Sequence, residues 1–230
     1  MDLLPADTTF DVRDRGAAVA LLPIGSFEQH GPHLPLTTDT LVASTIAVEL
    51  TTAYPVFRLP PLTISCSHEH AAWPGTVSIS ATTLTAIVRD VSSSVQRAGV
   101  STLVLVNGHG GNYVLGNVVQ EAGLGPLRTV LFPTEPDWED ARTDAGLGST
   151  ALSDMHAGEL ETSILLHALP DVVRPGHERA DHVADDRRYL LTRGMQAYTE
   201  SGVIGRPSLA SAEKGRAVLA SLVRSFAGHL

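Results

Sequence analysis

The stretch AAVALLPIG, residues 17–25, decides the fold, because it is apolar almost throughout and ends in a glycine turn. A strand with one solvent-facing side alternates apolar and polar residues, whereas a strand buried on both faces does not. VSTLVLVNG, residues 100–108, has the same character, and LRTVLF, residues 127–132, predicts a third strand. PVFRLPPL, residues 55–62, is extended and kinked by its prolines.

Longer segments of helical period separate these strands. The segment over 80–99 begins with residues typical of helix caps and ends in glycine, and Thr38 or Asp39 is in place to cap the helix over 40–50. Buried strands separated by helices predict an α/β fold with a mostly parallel central sheet. The helices are predicted over 40–50, 80–99, 112–122, 156–169 and 211–230.

The composition narrows the class of protein. The chain has 230 residues, of which 43% are hydrophobic, and no linker or repeat divides it, so a single domain over 1–230 is expected. Its one cysteine, Cys66, excludes an internal disulfide and fits a reducing cytoplasm. The start lacks the pattern of a signal peptide, and no apolar run is long enough for a membrane helix. A net charge of −9 without a Lys/Arg cluster argues against a nucleic-acid partner.

Titratable side chains gather directly after the first two predicted strands. EQHGPHLPLTTDT follows the first strand, and NGHGGN overlaps the end of the second. Ligands of open α/β sheets bind beyond the carboxyl ends of the strands. Carboxylates with imidazoles are ligands for Zn, Mn or Fe(II), and a site without thiolates is typical of catalysis. The candidates are Glu28, His30, His33, Asp39 and His109.

Some of these residues have a second interpretation. His33 lies between prolines and either fills a turn or touches the substrate. Asp39 either bridges two ions through its two oxygens or only caps a helix. The glycines of NGHGGN also suit an esterase oxyanion hole, but that site needs a G-x-S-x-G elbow, which the chain lacks. Close approach of the backbone to a metal or substrate is therefore favoured.

Two further segments carry chemistry. DMHAGELETS contains His156, which stands before a predicted helix as a candidate general acid, together with Glu159 and Glu161. The helical period places Glu161 on the more apolar face, so it is predicted to point inward to a metal, and Glu159 to be solvated or to support a ligand. CSHEHAAWPGT contains His70 and Trp73, which either line a substrate pocket or belong to a rigid surface loop.

In their order along the chain, GSFEQHGPHLPLTTDT, WPGTVS, NGHGGN and HAGELETS resemble the creatininase family of metal-dependent amidohydrolases, from about residue 18 to residue 215. The resemblance implies a three-layer α/β/α sandwich, a homo-oligomer and two divalent metal ions (Zn, Mn or Fe(II)) per chain. Carried over by position, it implies that Asp39 bridges the ions and that His156 is catalytic. The ligands that it implies are Glu28, His30, Asp39 and His109.

One departure from the family pattern affects the substrate. Creatininase has a tyrosine and a metal-binding glutamate directly after the histidine of NGHGGN, where this chain has Gly110 and Gly111. Glu161 is therefore expected to be the fifth ligand, and creatinine is not the expected substrate. The branch of the family with glycines here includes mycofactocin precursor peptide peptidases and formamide-releasing deformylases, and the chain looks most similar to the peptidases.

The expected activity is hydrolysis of a non-activated C–N bond by a metal-bound hydroxide. The expected partner is a small amide or a short peptide. Hydrolysis of a formamide or a cyclic amide is the alternative within the family. A protein that binds metal without catalysis is the alternative from another class.

Overall fold

The structure is a computed structural model and describes residues 3–230. Its centre is a four-stranded parallel sheet with the strand order β2-β1-β3-β4. The strands are β1 (Val19–Ile24), β2 (Phe57–Arg58), β3 (Thr102–Asn107) and β4 (Arg128–Phe132). The α-helices are α1 (Thr9–Arg15), α2 (Thr38–Ala53), α3 (Ala81–Arg97), α4 (Val114–Ala122), α5 (Glu135–Asp144), α6 (Glu159–Ala168), α7 (Leu190–Arg193) and α8 (Ala212–Phe226).

Successive residues of β1 and β3 alternate between two hydrophobic cores. Leu21 and Val104 belong to the core that α2, α5, α6 and α8 share, and Leu22 and Leu105 to the core formed with α3 and α4. Both faces of the sheet are thus covered by helices, which explains why these strands are apolar throughout. The predicted three-layer α/β/α sandwich with a parallel sheet is confirmed.

Local structure differs from the prediction in several places, and the short helices α1 and α7 were not predicted. Only Phe57–Arg58 of the extended segment 55–62 pairs as a strand, because its prolines cannot donate ladder hydrogen bonds. The N-cap of α2 is Thr37, so Thr38 and Asp39 lie inside the first turn, and the prediction that one of them is the cap is wrong. The helix α5 was not predicted, because its sequence EPDWEDARTD lacks an apolar stripe. The predicted Ser80 cap of α3 is confirmed.

The strand order determines where a ligand site can form. The chain passes from β1 outward to β2 and then back across β1 to β3, so the connections leave β1 in opposite directions. Ile24 at the end of β1 pairs with Asn107 at the end of β3. The loops after these two strands therefore start side by side, in the crevice where open α/β sheets bind ligands. No helix within residues 3–230 is both long and apolar enough to cross a membrane.

Candidate metal centre

The first turn of α2 comes unusually close to the end of β3. A Cβ atom added to Gly108 would lie 2.4 Å from the carbonyl oxygen of Asp39, so only glycine permits this approach. The contact places the Asp39 carboxylate between the loops that follow β1 and β3. Ser26 Oγ donates a hydrogen bond of 2.7 Å to Asp39 Oδ2 and fixes the orientation of the carboxylate.

The two oxygens of Asp39 face different histidines. Oδ1 lies 3.0 Å from Nε2 of His30, and Oδ2 lies 3.0 Å from Nδ1 of His109. Glu28 and Glu161 complete two groups of residues that share Asp39, and within each group the potential ligand atoms lie within 4.8 Å of one another. The groups are Glu28, Asp39 and His109, and His30, Asp39 and Glu161.

Backbone carbonyls fix the orientation of three buried histidines. Nδ1 of His30 lies 3.1 Å from the Glu28 carbonyl, and Nε2 of His109 lies 2.7 Å from that of Cys66. Nε2 of His156 lies 2.7 Å from the carbonyl of Gln29. A carbonyl oxygen only accepts, so the nitrogen beside it carries a proton, and the other nitrogen is the one that can bind a metal when the ring is neutral. In each ring that other nitrogen faces a carboxylate of the site.

Glu28 provides the test of whether a cation fits. Its side chain is fully buried, and neither carboxylate oxygen has a hydrogen-bond partner of acceptable geometry among the described residues. Burial raises the pKa of Glu28 to about 7, although His109 acts in the opposite direction. Burial lowers the pKa of His109, but Glu28 and Asp39 outweigh this and raise it to about 10. A fully buried carboxylate whose two oxygens accept no hydrogen bond is what a divalent cation would satisfy.

Gln29 points away from the two metal groups and holds His70. Its Nε2 atom lies 2.9 Å from Nδ1 of His70 and donates to the carbonyl of Gly202 at 3.1 Å, and its Oε1 accepts from the N–H of Gly31 at 2.9 Å. These contacts identify which side-chain atom of Gln29 is the nitrogen and which is the oxygen. Gln29 therefore donates to Nδ1 of His70, and we assign the His70 proton to Nε2, which faces Glu28.

Of the two glutamates of α6, only Glu159 differs from its prediction. Glu161 points inward from α6, as the helical period predicted, with Oε1 at 3.9 Å from Nε2 of His30, while its Oε2 accepts from the N–H of Ala157 at 2.6 Å. Its role as a metal ligand remains a prediction. Glu159 is fully buried, so the prediction that it is solvated is wrong. It accepts from the N–H groups of Gly148 and Ser149 and pairs with Lys214, partners that the helical period cannot reveal.

His156 lies beside both metal groups, before α6, as predicted. Its Nδ1 atom is 3.8 Å from Oε1 of Glu28, and its ring centroid is 4.1 Å from that of His30. Burial lowers the pKa of His156 to about 4, and the neighbouring His30 adds to this effect. His156 also forms a possible ligand group with Glu28 and His30. The arrangement suits either a neutral proton acceptor or a further ligand.

The site opens into a cavity of about 780 Å³. His70 is part of its wall, whereas His33 and Trp73 are not. The buried His33 instead contacts Thr162, and Trp73 lies beside His70. The predicted substrate contacts of these residues remain predictions. The cavity is also lined by residues that were not predicted to belong to the site, among them Glu69, Tyr113, Met155 and Arg187.

Comparison with known proteins agrees with this geometry. The creatininase family model, described as creatinine amidohydrolase, matches residues 7–230. A mycofactocin precursor peptide peptidase of Mycobacterium ulcerans is 39% identical over 215 residues, covering 88% of this chain and 80% of the relative. One from Mycolicibacterium smegmatis is 33% identical over 223 residues, covering 92% of this chain and 84% of the relative.

Among solved structures, a creatininase mutant described as Zn–Zn type is 25% identical, with a TM-score of 0.82 over 100% of this chain and 97% of the other. The family resemblance seen in the motifs is thus confirmed over nearly the whole chain. The likeness also agrees with the donor set found here, since the family uses divalent metal ions. The chain belongs to the creatininase family of amidohydrolases, enzymes that hydrolyse C–N bonds.

Proposed function

We propose that this amidohydrolase is a metal-dependent peptidase that cleaves one amide bond of a short peptide, the activity for which its mycofactocin precursor peptide peptidase relatives are named. The observation that carries the proposal is the pair of ligand groups that share Asp39 and border a cavity of about 780 Å³. The glycines at 110 and 111, where creatininase carries a tyrosine and a glutamate, argue against creatinine.

The residues present fit two divalent ions. Glu28, Asp39 and His109 would hold the first, and His30, Asp39 and Glu161 the second. When bound, the ions supply positive charge that polarises the substrate carbonyl and acidifies a water molecule. Their identity as Zn, Mn or Fe(II) remains a prediction. Three further properties remain predictions: a homo-oligomeric assembly, the absence of nucleic-acid and membrane partners, and a cytoplasmic location.

A residue of the protein itself transfers the proton from the attacking water to the leaving nitrogen. Because Nε2 of His156 donates to the Gln29 carbonyl, its Nδ1 atom carries the lone pair and faces the site. His156 therefore accepts the proton of the attacking water first and passes it to the leaving nitrogen afterwards. Ser26 donates a hydrogen bond to Asp39, and the Ala157 N–H donates one to Glu161, so both carboxylates keep their orientation during the reaction.

The test is a substrate panel with metal-loaded protein and with protein stripped by a chelator. Short peptides should be cleaved at one bond, faster than formamides or cyclic amides such as creatinine, and chelation should abolish the cleavage. Faster cleavage of formamides would make the protein a deformylase, and faster cleavage of cyclic amides a creatininase-like hydrolase. Stable metal binding without hydrolysis of any class would indicate a non-catalytic metal-binding protein.

A further inference from the structure

The turn that leads into α6 is bound by an arginine of α5. The side chain of Asp154 is 1% exposed, and Nη1 of Arg142 donates to its Oδ2 at 3.1 Å. Nη2 of Arg142 donates to the main-chain carbonyl of Asp154, also at 3.1 Å. One guanidinium thus binds both the side chain and the backbone of Asp154, a two-pronged contact that a lysine ammonium does not reproduce.

Asp154 in turn fixes the start of α6. Its Oδ1 accepts from the N–H of Glu159 at 2.5 Å, and its Oδ2 accepts from the N–H of Leu160 at 3.1 Å. The first N–H groups of a helix have no partner inside it, and Gly158 at the N-cap has no side chain to bind them. A Cβ atom on Gly158 would lie 1.8 Å from Oδ1 of Asp154, so only glycine leaves room for this carboxylate. Asp154 therefore caps α6 in place of the N-cap residue.

The backbone between two fixed points is strained at Ala157. Before it, His156 exchanges backbone hydrogen bonds of 2.9 and 3.0 Å with Ile204. After it, Asp154 holds the N–H of Glu159. Ala157 connects these anchors with a φ of 53°, in the left-handed region where a side chain costs free energy. Within residues 3–230 it is the only residue other than glycine with a positive φ.

This conformation aims a donor at the metal groups. The N–H of Ala157 donates to Oε2 of Glu161 at 2.6 Å, and Glu161 forms the second metal group with His30 and Asp39. If Ala157 relaxed to an ordinary negative φ, the direction of its N–H relative to α6 would change. Glu161 would then lose the donor that fixes its orientation.

We propose that Arg142 is a positioning residue of the metal site, which acts through Asp154 on the turn before α6 and so orients Glu161. The left-handed conformation of Ala157 transmits the effect. Arg142 and Asp154 are not among the residues that line the cavity, so they act without touching the substrate. The inference rests on the proposed function for its effect on catalysis, whereas its effect on the turn requires no substrate.

Two variants test this step. Arg142→Gln removes the two-pronged contact, and Ala157→Gly removes the strain, because glycine adopts the left-handed region freely. In Arg142→Gln, the dissociation constant of the zinc ion that needs Glu161 should rise about tenfold, as when other groups that orient a ligand are lost. For peptide cleavage, kcat should fall while KM stays within about twofold. In zinc-free protein, the amide resonance of Ala157 should shift and its hydrogen exchange should become faster.

The combination of the two variants separates positioning from a general structural role. Arg142→Gln together with Ala157→Gly should bind zinc within about twofold of Ala157→Gly alone, because a turn without strain does not need the arginine. A general loss of stability would not be reversed by a glycine in the turn. Arg224→Gln is the control, since it removes the exposed ion pair between α8 and Asp144 of α5, and it should change none of these quantities.

An unchanged Ala157 resonance or an unchanged affinity for the second zinc ion in Arg142→Gln would overturn the inference. A combined variant that binds zinc as weakly as Arg142→Gln alone would overturn it too. Arg142→Lys covers the case in which Arg142→Gln does not fold. It keeps a positive charge beside Asp154 without the two-pronged contact, so it should show the same losses, and wild-type zinc binding there would refute the role of Arg142.

The Ala157 resonance also separates this inference from the proposed function. A resonance that shifts in Arg142→Gln, in a protein that cleaves no peptide, would uphold the inference and refute the proposed function. Cleavage of peptides with an unchanged resonance in Arg142→Gln would do the reverse.

Discussion

Nε2 of His70 lies 3.2 Å from Oε1 of Glu28, and it is the nitrogen that carries the His70 proton when Gln29 donates to Nδ1. Gln29 thus acts on the first metal group from outside it, by fixing which nitrogen of His70 faces the carboxylate. Groups that orient a ligand in this way typically change metal affinity by about 10- to 100-fold when they are lost.

We therefore expect Gln29→Leu to weaken binding of one metal ion by about tenfold while the protein remains folded. The dissociation constant for Zn²⁺ and the ¹⁵N shifts of His70 measure the effect and its cause. Gln96→Leu, on the exposed face of α3, is the control and should change neither. Unchanged His70 shifts in Gln29→Leu would contradict the explanation.

Glu161→Ala should lower the metal content from about two ions to about one per chain, because Glu161 belongs to only one of the two groups that share Asp39. Elemental analysis of protein purified without chelator measures this. Glu159→Gln is the matched control, since Glu159 lies on the same helix but is bound by Lys214 and the loop at 148–149. Two ions retained in Glu161→Ala would refute its assignment as a ligand.

His156→Ala should reduce kcat by about 10²- to 10⁴-fold, the usual loss when a general acid–base group is removed. Metal content should stay at the wild-type value, because the other two groups of potential ligands do not include His156. If one ion is lost together with activity, His156 is a ligand in the group with Glu28 and His30 instead.

Glu159→Gln should destabilise the fold by roughly 3 kcal/mol at neutral pH, because it leaves the Lys214 ammonium without its partner. Burial raises the pKa of Glu159, but hydrogen bonds from Lys214, Ser149 and Gly148 outweigh this and lower it below its usual 4.5. The folded pKa is thus below the unfolded one, so the stabilisation is complete above about pH 4.5 and is lost as the pH falls further. Denaturant unfolding at pH 7 and pH 4 should show the difference between wild type and variant shrinking at the lower pH.

The main elements and most of the metal groups could be predicted because their signals are local. Residues 19–24 and 102–107 are apolar on both faces, and Ser80 is followed by a helical stretch. Parallel strands that end at the same edge bring their loops together, so Glu28 and His109 were expected to meet without knowledge of the contacts.

What could not be predicted depends on contacts distant in sequence. Glu159 is buried with Lys214 as its partner, 55 residues away, and the helical period of α6 gives no indication of that partner. The role of Gln29 was only weakly indicated by the sequence. Successive residues of an extended chain point to opposite sides, so Gln29, between the predicted ligands Glu28 and His30, faces away from the metals. Its contact with His70 spans 41 residues and depends on the loop before α3.

The two metal groups differ in when they become available during synthesis. The group of Glu28, Asp39 and His109 is complete once β1, α2 and β3 have emerged and packed. The second group requires Glu161, more than fifty residues later, on a helix that packs against α8 near the chain's end. A nascent chain can therefore take up its first ion well before its second.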